Sequence, residues 1–227
     1  MTAPSPATCR RLTFGLSALT ALACGDIAAP VRDDLYEWRL EAPSIPGPGL
    51  DTLSFHWDRT HLPVRVWVED NGTLPGHIAR AIDVWEAAFL YREFEATLVS
   101  DSATADVIVL GGPPGNPKLR MKRLHSALAP ECAGATDLDV DVANTELRLP
   151  IRLFIDPRSL PDDPGIERCL ALTSIHEMGH AVGIFAHSPD SADIMFADPA
   201  VDLPSARDRR TAEAAYHTPA TLEAVGP

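Results

Sequence analysis

The chain has 227 residues, 45% of them hydrophobic and 22% charged, which is ordinary globular composition with length for one medium-sized domain behind an N-terminal segment. Its formal net charge of −13 argues against nucleic acid as a partner, because a phosphate backbone needs a basic face. The same charge favours solubility and bound cations such as Ca²⁺.

Residues 1–24 read as an export signal. Arg10 and Arg11 give a positive start, and Leu12 to Ala23 is an apolar run too short to span a bilayer as a mature helix. The run ends Leu22-Ala23-Cys24-Gly25, which is similar to a bacterial lipobox, although Ala21 stands where Leu is usual. Cys24 is therefore a lipidation candidate. The alternative is a plain secretory signal cleaved nearby. Both readings make an exported protein, either a cell-envelope lipoprotein or a secreted one. Cys9 would leave with the signal, so Cys132 and Cys169 remain as a matched pair for an oxidising compartment. A disulfide between them would stabilise by about 3–4 kcal/mol in the chain-entropy model. The other reading is two unpaired thiols.

Residues 25–50 read as a tether, because Pro43, Pro46, Gly47, Pro48 and Gly49 block regular structure. Tyr36 and Trp38 suggest that part of it packs on the domain, which is expected to begin near Asp51. Leu62 to Glu69 alternates Val64, Val66 and Val68 with Arg65, Trp67 and Glu69, as a half-buried strand does. Gly76 to Phe94 carries Ile78, Ile82, Trp85, Phe89 and Leu90 at helical spacing. Ala96 to Val99 and Ala105 to Leu110 follow as strands, the second ended by Gly111-Gly112-Pro113.

Residues 116–148 give the weakest pattern. Lys118 to Arg123 form a basic patch, with His125 beyond it, either a solvated surface histidine or a structural metal ligand. Asp137, Asp139 and Asp141 alternate on one face of an expected edge strand, either as a solvated acidic edge or as Ca²⁺ ligands. Leu149 to Asp156 is another strand, and Glu167 to Ile184 a helix. In the tail, Ser205 is a candidate N-cap with Asp208 completing an approximate capping box, and Pro219 stops the last helix.

The chemistry lies in the helix after residue 166. His176-Glu177-Met178-Gly179-His180 puts two imidazoles four apart on one helical face, able to aim at one metal ion. Glu177 sits one position round the helix, where a carboxylate can take a proton from a metal-activated water. Gly183 offers a left-handed exit from the helix, His187 can turn back as a third ligand, and Met195 lies eight residues further on.

This string resembles the metzincin zinc peptidases, whose pattern is HExxHxxGxxH followed by a Met-turn, and within them matrixin-like bacterial members. His176, Glu177, His180, Gly183, His187 and Met195 carry the likeness. One departure stands out: Ile184, Phe185 and Ala186 make three residues between the Gly and the third His, where the usual pattern has two. Ala186, at the strict ligand position, has no donor atom. His187 is the preferred third ligand, with Asp190 and Asp193 as competing donors. The likeness spans roughly residues 51–217 and is specific over 174–196.

The resemblance implies an α+β domain: a twisted mixed β-sheet with two long helices, a Met-turn and a small C-terminal helical subdomain. It implies one catalytic Zn²⁺ on His176, His180 and His187, with Glu177 as general base and Met195 as an apolar floor beneath the histidines. The expected activity is hydrolysis of peptide bonds in a protein or peptide substrate by a monomer. The expected contact with a membrane is through a lipid anchor alone. A gluzincin-type site would need a Glu ligand about 20 residues past His180, where none stands; Glu213 is late. The alternative function is a catalytically inactive zinc-binding surface lipoprotein of the same fold.

Overall fold

A computed structural model describes residues 34–42, 52–116, 121–126, 132–157 and 165–226. All of them fall within one unit, Asp34–Pro227. The signal segment, Cys9, Cys24 and the Pro/Gly stretch 43–50 lie outside the described residues. The domain starts earlier than the expected boundary at Asp51. Tyr36, Trp38 and Leu40 are buried, and β1 (Leu40–Glu41) pairs antiparallel with β2 (Thr52–Leu53). The cause is visible at residues 36, 38 and 40, where large apolar side chains recur with the period of a strand.

Among the described residues, seven strands form one mixed sheet. β3 (Val64–Val68) buries Val64 and Val66 and continues into helix α1 (Leu74–Glu86). The chain returns as β4 (Ala96–Leu98), parallel to β3 on its outer side. β5 (Val107–Gly111) pairs parallel on the other side of β3. Next come β6 (Met121–Ser126), β7 (Cys132–Asp141) and β8 (Glu146–Pro157), in the spatial order β4-β3-β5-β8-β7-β6. β8 runs parallel to β5, while β7 is antiparallel to both β8 and β6. After α2 (Ile166–Val182) and α3 (Ala206–Tyr216), β9 (Glu223–Val225) pairs parallel with the start of β8. This is a mixed α/β architecture compatible with the expected α+β class.

Two expectations are corrected. α1 ends at Glu86, well short of Phe94. Its exit tightens into three-residue turns, Ala88 N–H to Trp85 and Phe89 N–H to Glu86, and Arg92 then takes a left-handed φ of 54°. Phe89 and Phe94 still reach the core, but Leu90, which a longer helix would bury, is 78% exposed. The second correction is that β7 is an interior strand, with β6 beyond it. Part of the basic patch is that outer strand, and two of the three aspartates, Asp137 and Asp141, are paired with arginines. Arg123 grips the buried Asp137 at 2.6 and 2.7 Å, and Arg148 of β8 bonds Asp141 at 3.0 Å. Carboxylates bound to guanidinium forks are poor Ca²⁺ ligands.

α2 has no solvent-exposed face over its second half. Every residue from Leu172 to Val182 is buried, because the helix lies between the sheet, α1 and the chain that follows it. The indole N–H groups of Trp85 and Trp57 donate to the carbonyls of Ile175 and Ala181 at 2.8 Å, pinning the helix from two sides. α3 starts with the expected capping box: Ser205 accepts from the N–H of Asp208, and Asp208 accepts from the N–H of Ser205. Among the described residues no helix is long and apolar enough to cross a membrane.

Candidate metal centre

One turn of α2 separates His176 from His180, and their ring centroids lie 4.8 Å apart. His187 closes a triangle at 5.2 Å from His176 and 5.1 Å from His180. One ligand nitrogen from each residue falls within 4.8 Å of the other two. Among the described residues this is the one group of three or more His, Cys, Asp or Glu able to hold a metal ion.

The other ring nitrogens explain which atom faces inward. His176 Nδ1 bonds the Ile194 carbonyl at 2.7 Å, and His180 Nδ1 bonds the Ile184 carbonyl at 2.6 Å. A carbonyl only accepts, so each Nδ1 carries the proton and each Nε2 holds a lone pair. The Nε2 atoms of His176, His180 and His187 are all buried with no hydrogen-bond partner. Three orphaned buried ring nitrogens close together, two of them fixed as acceptors, are costly unless a cation takes their lone pairs. Burial also keeps the rings neutral: it pushes His176 down to about 3, and moves His180 and His187 below the ordinary histidine range. Three neutral imidazoles, two of them with fixed tautomers, fit a metal such as zinc.

Gly183 lets the chain bring the third histidine back towards the helix. Its φ is 125°, a region that L side chains avoid, and a Cβ there would run into the backbone carbonyl of Phe55. Past it, the N–H groups of Phe185 and Ala186 both donate to the Trp38 carbonyl, at 2.7 and 3.2 Å. The extra residue of the longer spacing is absorbed in this irregular exit, and His187 swings back to the two helical histidines.

Residues 188–196 form a closed turn beneath. Ser188 N–H donates to Met195 at 2.8 Å, and Ser188 pairs as an isolated bridge with Phe196. Met195 is fully buried against Gly179; a Cβ on Gly179 would collide with Met195 and lie 2.7 Å from the Trp85 ring. The competing carboxylates are engaged elsewhere. Arg207 holds Asp190 at 2.8 Å and Asp193 at 2.7 Å, while Ser188 and Ser205 donate to Asp193 as well.

Glu177 is fully buried between α2 and β7. Thr136 Oγ1 donates to its Oε2 at 2.6 Å, and Gly134 passes so close that a Cβ there would overlap the carboxylate. Neither residue carries a local sequence signal; Thr136 is 41 positions away, and only strand pairing brings it to the helix. Asp208 also does more than cap α3, since it accepts from the Ile194 N–H at 2.9 Å and the Tyr36 hydroxyl at 2.7 Å. Tyr216 packs against Phe89 at 4.6 Å and bonds the Val182 carbonyl, a packing role. Cys169 is disulfide-bonded; the Cys132 side chain, its expected partner, and that of His125 lie outside the described residues.

No protein-family model and no curated protein sequence matches the chain.

Proposed function

We propose that the chain is a zinc-dependent endopeptidase of the metzincin type, matrixin-like, exported and acting on proteins or peptides. The reading is carried by the three orphaned Nε2 atoms of His176, His180 and His187, with the Glu177 carboxylate on the same helix. His176, His180 and His187 would hold a zinc ion through neutral imidazoles, and the ion would supply Lewis acidity to a water and a peptide carbonyl. Glu177 takes the proton of the attacking water and passes it to the leaving amine. Thr136 keeps the carboxylate oriented, and the Ile184 and Ile194 carbonyls hold two imidazoles in the ligating tautomer. Met195 floors the site with an apolar side chain.

Full burial of Glu177 and of all three Nε2 atoms favours a second reading, a zinc-binding surface lipoprotein without turnover. One experiment separates the two. Purified protein is assayed for zinc by elemental analysis and for cleavage of a peptide library, beside Glu177→Gln. The peptidase reading expects one zinc per chain in both proteins and loss of most hydrolysis in the variant. One zinc with no hydrolysis by wild type favours the binder, and no zinc defeats both.

A further inference from the structure

The segment that precedes the domain's sheet is part of the metal centre's support. We infer that residues 34–42 form a strap whose Tyr36 and Trp38 are positioning residues for the histidine ligands, so that metal affinity depends on the strap. The inference rests on the metal-centre reading but not on peptidase activity.

The strap is fastened at four points. Asp34 bonds Arg210 at 2.5 Å. Tyr36 bonds α3 twice, its N–H to Thr211 at 3.4 Å and its hydroxyl to Asp208 at 2.7 Å. The Trp38 carbonyl takes two N–H donors from the helix exit, and β1 pairs with β2. Two of these points lead to ligands. The buried Asp208 binds both the Tyr36 hydroxyl and the Ile194 N–H, and the Ile194 carbonyl orients His176. The Trp38 carbonyl binds the N–H groups of Phe185 and Ala186, which lie between Ile184, whose carbonyl orients His180, and His187 itself.

The longer spacing gives the strap its purpose. In the three-residue link between Gly183 and His187, the N–H groups of Phe185 and Ala186 bond neither α2 nor the following turn. Phe185 is buried, and its ring stacks on Phe55 at 6.1 Å with planes 8° apart, so water is a poor substitute partner there. One strap carbonyl with two lone pairs takes both donors and fixes the exit. Without it the exit would keep its length but lose its single conformation, and His187 would have to be ordered when the metal binds. Processing compatible with a loaded centre must therefore cut upstream of Tyr36.

The test uses the full chain and reads zinc affinity by competition with a chromophoric chelator, well below the thermal midpoint. Tyr36→Phe removes one hydroxyl and keeps the packing; Trp38→Leu loosens the carbonyl. Ile151→Val, in the centre of β8, serves as a control for general destabilisation. Each strap variant is expected to bind zinc about tenfold more weakly, the usual scale for loss of a group that orients a ligand, and the control within about twofold of wild type. If Trp38→Leu does not fold, Tyr36→Phe decides alone. Wild-type affinity in the strap variants, or an equal loss in the control, overturns the strap. A zinc-loaded mature protein whose N-terminus lies beyond Trp38 overturns it too. Wild type that binds no zinc overturns the metal centre beneath it.

Discussion

Gly134→Ala isolates the carboxylate from the metal. Gly134 lies in β7, paired with Ile155 of β8 and Ser126 of β6, and its backbone needs no positive φ, so alanine brings no backbone strain. The added Cβ would stand 2.7 Å from the Thr173 methyl and 2.8 Å from the Glu177 carboxyl carbon, with an oxygen of Glu177 closer still. Carbon atoms pack at about 3.5–4.0 Å, so something must yield by roughly 0.7 Å or more. The strand is tied on both sides by backbone hydrogen bonds, so the two side chains yield: the Thr173 methyl must give way and the end of the Glu177 side chain must move. Overpacking of this kind costs about 1–3 kcal/mol of stability. A base displaced by nearly 1 Å loses on the order of 10²-fold in rate. The histidine nitrogens are untouched. The expected result is a folded protein with one zinc per chain, a lower thermal midpoint and kcat/KM down about a hundredfold on a fluorogenic peptide. Near-normal turnover would refute the packing of Glu177 against this strand. Loss of zinc in step with activity would refute its separation from the metal.

The third ligand is decided by zinc titration of His187→Ala, Asp190→Ala and Asp193→Ala. The first should weaken binding by orders of magnitude and the other two far less, since Arg207 already holds both carboxylates. If an aspartate variant loses zinc while His187→Ala keeps it, the site is two histidines and a carboxylate. Acid should destabilise the metal-free protein early. His176 is depressed by burial from 6.5 to about 3, so between those values the unfolded chain binds a proton that the folded one refuses. Stability is then highest above pH 6.5 and falls with acid by up to about 1.4 kcal/mol per pH unit for this one group, levelling off below its folded pKa. His180 and His187 act in the same direction. A urea midpoint that stays flat from pH 7 to pH 5 in the metal-free protein would contradict neutral burial. Finally, Cys24→Ser should release the protein from membranes or leave it unprocessed; a wild type wholly soluble with another N-terminus ends the lipoprotein reading.

What the sequence determined by itself is what lies within about one helical turn or one strand of its cause. His176 and His180 meet because four residues are one turn, whatever surrounds them. Gly183 could be named as the helix exit because only glycine accepts that backbone, and Ser205 with Asp208 because a cap is closed by neighbours. The alternation of Val64 and Val66 marked β3 for the same reason. Tertiary structure decided everything that depends on a distant partner. His187 lies beside His176 and His180 while Arg207, on another helix, holds both Asp190 and Asp193, a placement that no local pattern shows. Glu177 met Thr136 and Gly134 because β7 pairs beside β8, and β7 proved interior because β6 supplied Arg123 to Asp137. α1 stopped at Glu86 although its apolar spacing ran on, and Phe89 and Phe94 are buried from the irregular chain beyond it. The strap looked like tether because proline and glycine dominate the sequence just after it, from Pro43 to Gly49, while its anchors, Asp208 and the exit of α2, lie roughly 150–170 residues away in the chain. Local periodicity records a residue's neighbours in sequence, and long-range hydrogen bonds and ion pairs leave no periodic trace in the chain.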